Sequence, residues 1–154
     1  MVFKKLLLII FIFPAGNLFA QKAHTKPVPI ILDSDIGPDY DDAGAITILH
    51  VLEDRGEAKI LATIASNKYE GIAAALDVFN TYFNRPQIPI GVPKGKAVNL
   101  RDNQHWTDTL LSKYPHKIKY NSDVPEAMEV YRKVLAEQPD HSVTIVTVGF
   151  LTNL

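Results

Sequence analysis

The densest group of chemically capable side chains in the sequence is five aspartates between positions 33 and 42: Asp33, Asp35, Asp39, Asp41 and Asp42. Carboxylates this close together repel one another more than a surface loop usually tolerates. Several hard oxygen donors that converge on one point suit calcium or magnesium, whose charge relieves that repulsion. The run follows an apolar segment typical of a buried strand, and open α/β sheets bind ligands at the carboxyl ends of their strands. The spacing therefore predicts a divalent-cation site.

A solvated acidic loop or an elaborate helix cap is the alternative interpretation of these aspartates. Asp41 or Asp42 could cap a helix that begins beside them, because carboxylates accept hydrogen bonds from the free amides of a helix N-terminus. A cap needs one acid rather than five, so the metal site is favoured. Gly37 and Pro38 permit a tight turn, which would let Asp35 face back toward the later aspartates.

The composition is that of a globular protein and excludes several chemistries. The 154 residues allow one domain or part of a larger one, with 47% apolar and 21% charged residues. The 16 Lys and Arg against 17 Asp and Glu leave a formal charge of −1, without the basic stripe that a nucleic-acid binder needs. The sequence has no Cys, which excludes disulfides, thiolate metal ligands and cysteine nucleophiles.

The N-terminal segment has the pattern of a secretory signal peptide. Lys4 and Lys5 precede the apolar run 6–13, and the small residue Ala20 precedes a polar stretch, which fits cleavage after Ala20. A membrane anchor is the alternative, but this run is too short to span a hydrocarbon core of about 30 Å. We therefore predict a signal peptide over residues 1–20 and a secreted product, for which a bacterial periplasm is the natural compartment.

The rest of the chain alternates apolar, β-branched runs with segments of helical periodicity. The patterns predict strands at 28–32, 58–65, 88–92 and 143–148, and helices at 42–54, at 71–83 and from a capping box at Asp123 and Glu126 to about residue 137. Residues 93–121 show no clear period and are predicted to form a loop or lid. Strands joined by helices need crossover connections, so we predict an α/β fold with a mainly parallel sheet and helices on both faces.

The last predicted strand stands close to the end of the sequence. Only Leu151–Leu154 remain to begin a covering helix, which is too few residues to nucleate one. A buried parallel strand needs a covering layer on both faces. We therefore expect residues 21–154 to be the N-terminal portion of a larger domain.

Three short segments together carry a family resemblance. They are DSDIG at residues 33–37 with DDA at 41–43, Asn67 just after the second predicted strand, and VGFLTN at 148–153. In this order they resemble the motifs of the inosine-uridine preferring nucleoside hydrolases, the last being similar to that family's Gly-Pro-Leu-Thr-Asn element. The resemblance covers about residues 28–154 and implies a Rossmann-like nucleoside hydrolase fold.

The sequence departs from the family pattern at two motifs. Pro38, Asp39 and Tyr40 stand where the usual acidic motif has one residue, so the loop is longer and Asp39 is an extra acid. Ile36 and Phe150 stand where the family often has Pro. The resemblance therefore assigns no role to Asp39.

The resemblance implies a calcium ion at the bottom of a ribose pocket. Asp35 would ligate the calcium and act as general base on its bound water, and Asp42 would be a second, bidentate ligand. Val148 would contribute only its backbone carbonyl to the metal. Asp33 would support the cluster from the end of the first strand.

The resemblance also implies how the ribose is held. Asp41 would hydrogen-bond the ribose hydroxyls, and Asn67 would help orient the ribose and the attacking water. The family's later His–Asp pair, which supplies the leaving-group acid and another calcium ligand, would lie beyond Leu154. We therefore expect this chain to be inactive or weakly active by itself.

These assignments predict a calcium-dependent nucleoside hydrolase, an N-glycosidase that converts ribonucleosides to free base and ribose. The reaction passes through an oxocarbenium-like ribosyl cation, which nearby carboxylates stabilise. The expected partner is a nucleoside substrate, with no nucleic acid and, after signal cleavage, no membrane. The choice between purine and pyrimidine stays open, as does a homo-oligomer in a full-length form. His105 and Trp106 could contact the base or close the edge of a lid.

Two other functions are compatible with the same residues. A haloacid-dehalogenase-like magnesium phosphatase would use Asp33 and Asp35 as nucleophile and general acid, with Ser66 in its second motif. That interpretation leaves Asp41 and Asp42 without a role. The second alternative is a non-catalytic fragment that binds calcium or a nucleoside.

Overall fold

The computed structural model describes residues 26–154, which form an α/β fold around a four-stranded parallel sheet. The strands are β1 (Val28–Ser34), β2 (Ala58–Ala65), β3 (Ile90–Gly91) and β4 (Thr144–Thr147). The helices are α1 (Asp41–Asp54), α2 (Ile72–Tyr82), α3 (Trp106–Lys113) and α4 (Ala127–Ala136), with a 3-10 turn at Asn121–Asp123. The predicted signal peptide, residues 1–20, lies outside the described residues. None of the helices described has the length and apolar character needed to cross a membrane.

The strand order is β3-β2-β1-β4, which confirms the predicted parallel sheet. From β1 the chain runs outward through β2 to β3, and it then returns to place β4 on the other side of β1. The strand predicted at 88–92 is shorter than expected, with two residues in β3. The topological switch point lies between β1 and β4, where open α/β sheets bind ligands outside the carboxyl ends of their strands.

Helices cover both faces of the sheet, as the sequence pattern predicts. On one face, α1 packs against β2 and α2 packs against β2 and β3, and Leu32 joins Ile46 and Leu76 in the larger core cluster. On the other face, α4 packs against the sheet, and Ile31 joins Val130 in a second cluster. Burial of this apolar surface stabilises each helix–sheet contact by roughly 25 cal/mol per Å².

A bulge in β2 determines which of its side chains face each helix layer. Ile30 pairs with Ile60, whereas Ile31 pairs with Ala62, so Leu61 is the extra residue. Because two residues of a bulged strand oppose one residue of its partner, Leu61 and Ala62 both contribute to the cluster beside α4. Beyond the bulge the two strands stay in register to their carboxyl ends.

The prediction of a loop over residues 93–121 is wrong for the middle of that range, which contains α3. The first turn of α3 is held by Asp102, whose carboxylate accepts hydrogen bonds from the amides of Gln104 at 2.7 Å and Thr107 at 2.8 Å. Leu111 packs beside the start of α2. The helix is largely polar and depends on Asp102 and on α2, so apolar periodicity does not reveal it.

Helix α4 begins at Ala127, later than the predicted capping box. Glu126 is its N-cap and accepts a hydrogen bond from the Met128 amide at 2.6 Å. The segment before it is extended because Val92, just after β3, forms backbone hydrogen bonds with it. Asp123 caps the preceding 3-10 turn instead.

His50 is a packed helix residue, as its apolar neighbours predict. It is fully buried on α1, where its ring stacks on Phe83 with 4.6 Å between centroids. Its Nε2 lies 3.2 Å from Oδ1 of Asn80, which donates its amide to the Thr63 hydroxyl at 3.0 Å. This buried chain of polar contacts joins α1, α2 and β2.

Candidate metal and ligand site

The aspartate run lies at the carboxyl edge of the sheet, beside the segments that follow β2 and β4. The Ser66 amide, after β2, donates to the Ser34 carbonyl at 2.9 Å. The Val148 amide, after β4, donates to the Asp33 carbonyl at 2.9 Å. These bonds extend the parallel ladders past the strand ends, so the main chain of half-buried Val148 is held next to β1.

Asp42, the second residue of α1, is buried beneath the acidic loop and is 1% exposed. Its Oδ1 accepts a 2.6 Å hydrogen bond from the Ser34 hydroxyl, whereas its Oδ2 has no hydrogen-bond partner. Burial, followed by the nearby carboxylates of Asp35 and Asp41, raises the pKa of Asp42 to about 7. A buried carboxylate is unfavourable unless it is protonated or paired with a cation. The Asp42 carboxyl is therefore either protonated or available to a cation.

Asp35 is half-buried and lies against both Asp42 and the turn after β4. Burial raises the pKa of Asp35, and the nearby carboxylate of Asp41 adds to that shift. A Cβ atom on Gly149 would stand 2.6 Å from Oδ1 of Asp35 and 2.7 Å from the Ser66 hydroxyl. Only glycine leaves room for this approach, which brings the Val148–Gly149 turn to the predicted general base.

The acids whose carboxylates converge are the extra acid Asp39 together with Asp41 and Asp42, and the predicted ligand Asp35 is not among them. One carboxylate oxygen from each of Asp39, Asp41 and Asp42 lies within 4.8 Å of the others, close enough to bind one cation. Asp39 and Asp41 are exposed, and a hydrogen bond between them raises the pKa of Asp39 and lowers the pKa of Asp41. Such a triad can hold a hard divalent cation, and its composition is not specific to calcium.

Asp33 is held inside the protein rather than presented to a ligand. It is 1% exposed, and its Oδ2 accepts hydrogen bonds from the Tyr131 hydroxyl at 2.7 Å and the Asn153 amide at 3.0 Å. Burial raises the pKa of Asp33, and these two hydrogen bonds oppose that shift. This placement suits a residue that supports the aspartate cluster from behind.

Asn67 is fully buried, and main-chain groups occupy its side-chain amide. Its Nδ2 donates to the Leu100 carbonyl at 2.7 Å and, at 3.5 Å, to the Asp35 carbonyl. Its Oδ1 accepts from the Leu100 amide at 3.0 Å. Asn67 thus ties the segment before α3 to the strand ends. Direct contact between Asn67 and ribose would require one of these bonds to be exchanged.

Aromatic side chains close one side of the acidic loop. The Trp106 indole, at the start of α3, donates to the Gly37 carbonyl at 2.9 Å, and its ring centroid lies 5.7 Å from that of Tyr40. Gly37 has a positive φ of 148°, and a Cβ there would stand 2.6 Å from the Tyr69 ring. The contacts of Trp106 and Tyr69 fasten the loop to its surroundings.

The sequence motifs give no role to two hydroxyl groups at this edge, those of Ser34 and Tyr131. Ser34 stands inside the aspartate run, so its position was a usable signal for the bond to Asp42. Tyr131 lies on α4, and its contact with Asp33 spans 98 positions, so no local pattern indicates it.

The fold is that of an α/β protein with an acidic cluster at the carboxyl edge of a parallel sheet. The chain matches no protein-family model, and no curated protein matches it. Its function is therefore inferred from the geometry of the site together with the motifs of the sequence.

Proposed function

We propose that the chain acts in the calcium-dependent hydrolysis of the N-glycosidic bond of ribonucleosides, which yields free base and ribose. The observation that carries this proposal is the buried Oδ2 of Asp42, which has no hydrogen-bond partner. The carboxyl groups of Asp35 and Asp41 lie close enough to raise its pKa. A divalent cation would satisfy this oxygen and offset the repulsion between the carboxylates.

The proposal of calcium is supported by the donors at this edge of the sheet, which are oxygen atoms suited to a hard divalent cation. Calcium accepts roughly six to eight oxygen ligands in flexible geometry. Asp35, Asp42 and the backbone carbonyl of Val148 would hold the ion, and Asp39 and Asp41 lie close enough to Asp42 to add an oxygen. Calcium, when bound, supplies positive charge that lowers the pKa of a coordinated water.

The carboxylates perform the remaining chemistry. Asp35 is half-buried and held against Gly149, and it would accept the proton of the attacking water. Asp41 is exposed and has a lowered pKa, so it is ionised and can accept hydrogen bonds from the ribose hydroxyls. The negative charge of the cluster stabilises the oxocarbenium-like sugar as the base departs. Asn67 supports the pocket by holding the segment before α3.

The position of Asp33 disfavours the phosphatase alternative. That mechanism needs a carboxylate nucleophile that a phosphate ester can reach. Tyr131 and Asn153 both bond Oδ2 of Asp33, and its Oδ1 is also buried. An enclosed carboxylate of this kind does not present an attacking oxygen to a substrate.

Isothermal titration calorimetry with calcium tests the metal site. The full chain should bind calcium, and Asp42→Asn and Asp35→Asn should each weaken binding about 10-fold or more, because each removes a charged oxygen ligand. Asp140→Asn removes an exposed acid before β4 and is the matched control, which should bind as the wild type does. Equal calcium binding by the wild type and Asp42→Asn would contradict the proposed site.

Release of free ribose from inosine and from uridine tests hydrolysis separately. Any release should require calcium and should be lost in Asp35→Asn. Binding of calcium and inosine without ribose release would favour the non-catalytic binding function. Turnover of a generic phosphate ester with magnesium would favour the phosphatase.

A further inference from the structure

Asp33 joins three parts of the fold behind the candidate site. Its Oδ2 accepts hydrogen bonds from the hydroxyl of Tyr131, on α4, at 2.7 Å and from the side-chain amide of Asn153, after β4, at 3.0 Å. Asn153 also donates to the carbonyl of Ala65, the last residue of β2, at 2.8 Å. One carboxylate therefore ties β1 to α4 and to the chain after β4, and Asn153 ties that chain to β2.

These contacts are enclosed by the protein. Asp33 is 1% exposed, Tyr131 is 4% exposed and Asn153 is 6% exposed. Hydrogen bonds to a carboxylate are stronger than those between neutral groups, and away from water a lost partner is not replaced. The two donors therefore hold the Asp33 carboxylate in one orientation.

The held carboxylate stands directly behind the residues assigned to the metal. Asp35 follows Asp33 by two positions, and the Asp33 carbonyl accepts the Val148 amide at 2.9 Å. Gly149 then packs directly against Asp35. A displacement of Asp33 would therefore move Asp35 and the Val148 main chain together.

We propose that Tyr131 and Asn153 are positioning residues of the calcium site, which act through Asp33. This inference rests on the proposed function, since the geometry that they hold is that of its metal ligands. Hydrogen-bonding partners behind metal ligands typically change metal affinity about 10- to 100-fold when they are removed. If Tyr131 and Asn153 served only to stabilise the fold, their removal would leave the calcium affinity of the folded chain unchanged.

Tyr131→Phe tests the inference because it removes the hydroxyl and keeps the ring. Calorimetry, at a temperature where circular dichroism shows the variant folded, should give a calcium Kd about 10-fold weaker than that of the wild type. Tyr114→Phe removes a hydroxyl from a side chain that is 41% exposed, and it should match the wild type. A lower unfolding temperature with an unchanged calcium Kd would reduce Tyr131 to a structural role and overturn the inference.

Asn153→Ala is the second variant and gives the answer if Tyr131→Phe does not fold. It removes the other donor to Asp33 and should weaken calcium binding by a similar factor. An unchanged Kd in this variant would also overturn the inference. A wild-type chain that binds no calcium would instead overturn the proposed function, and this result is obtained before either variant is compared.

Discussion

The hydroxyl of Ser34, the last residue of β1, donates a 2.6 Å hydrogen bond to Oδ1 of Asp42, the second residue of α1. The two residues flank the acidic loop, so this bond closes the loop at its base. The Ser34 hydroxyl oxygen also accepts the Ile36 amide at 3.1 Å, which fixes the first turn of the loop. Because Oδ1 is engaged and Oδ2 is buried without a partner, one serine orients the acid on which the proposed metal site most depends.

Ser34→Ala should weaken both the fold and the site. Asp42 would keep no partner for either buried oxygen, and a buried polar group left without a partner costs about 1–3 kcal/mol. Urea unfolding should show a loss of that size, and calorimetry should show weaker calcium binding. Ser112→Ala removes an exposed hydroxyl on α3 and should change neither quantity. A Ser34→Ala chain with wild-type stability and calcium affinity would contradict this role.

Gly149→Ala should disrupt the site, whereas Gly44→Ala should not. A Cβ at position 149 would collide with the Asp35 backbone amide and with its carboxylate, so the turn after β4 must move away. We expect a loss of about 1–3 kcal/mol in the free energy of unfolding, together with weaker calcium binding.

Gly44 is the matched control because a Cβ at that position in α1 meets nothing within 4 Å. Alanine there should raise the free energy of unfolding by up to about 1 kcal/mol, since alanine favours helix over glycine. Chemical denaturation and calorimetry on both variants make the comparison. Wild-type calcium affinity in Gly149→Ala would place the turn outside the metal site.

Without calcium, Asp42 should make the chain less stable as the pH rises. Its pKa is about 7 in the fold against 3.8 unperturbed, so the folded chain binds this proton more tightly than the unfolded chain. The stability contributed by the proton is complete below about pH 4 and is lost as the pH rises through about 7. Calcium competes with the same proton, so calcium should stabilise the chain more near pH 8 than near pH 5.

Thermal unfolding with and without calcium at the two pH values measures this effect. Asp42→Asn removes the titrating carboxyl group, so the stabilisation by calcium should no longer differ between pH 8 and pH 5. His50 acts in the opposite direction, because burial lowers its pKa and its contribution is lost as the pH falls below the unperturbed 6.5. The loss of stability that His50 causes at low pH should be the same with and without calcium. Equal stabilisation by calcium at both pH values would count against Asp42 as a ligand.

Trp106 should report calcium binding through its fluorescence. It is the only tryptophan in the sequence, and its indole donates to the Gly37 carbonyl within the acidic loop. An ion bound by the neighbouring aspartates should rearrange this loop and change the emission. The calcium concentration at the midpoint of that change should agree with the Kd from calorimetry. Chelation should reverse the change and Asp42→Asn should abolish it. Emission that stays constant at saturating calcium would argue against a metal site beside Gly37.

The elements that local patterns predict well are those whose packing depends on their own residues. The run 58–65 is β2 as predicted, and the helical spacing after Asp42 is α1, because β-branched runs and apolar stripes are local properties. Helix α3 could not be predicted in the same way, since it depends on the Asp102 carboxylate and on α2. Helix α4 begins later than the capping-box pattern predicts, because pairing with Val92 keeps the residues before Ala127 extended.

The sequence by itself determined which chemical groups are available and the order of strands and helices that presents them. The aspartates between residues 33 and 42 lie at the end of a strand and just beyond it, and their placement at the carboxyl edge of a parallel sheet follows from that order. Only the tertiary structure decided which oxygens face one another. It turned Asp33 toward Tyr131 and Asn153, left Oδ2 of Asp42 free, and enclosed Asn67 in main-chain contacts. The physical reason is that these partners come from distant parts of the chain, and burial then sets the charge of each carboxyl group.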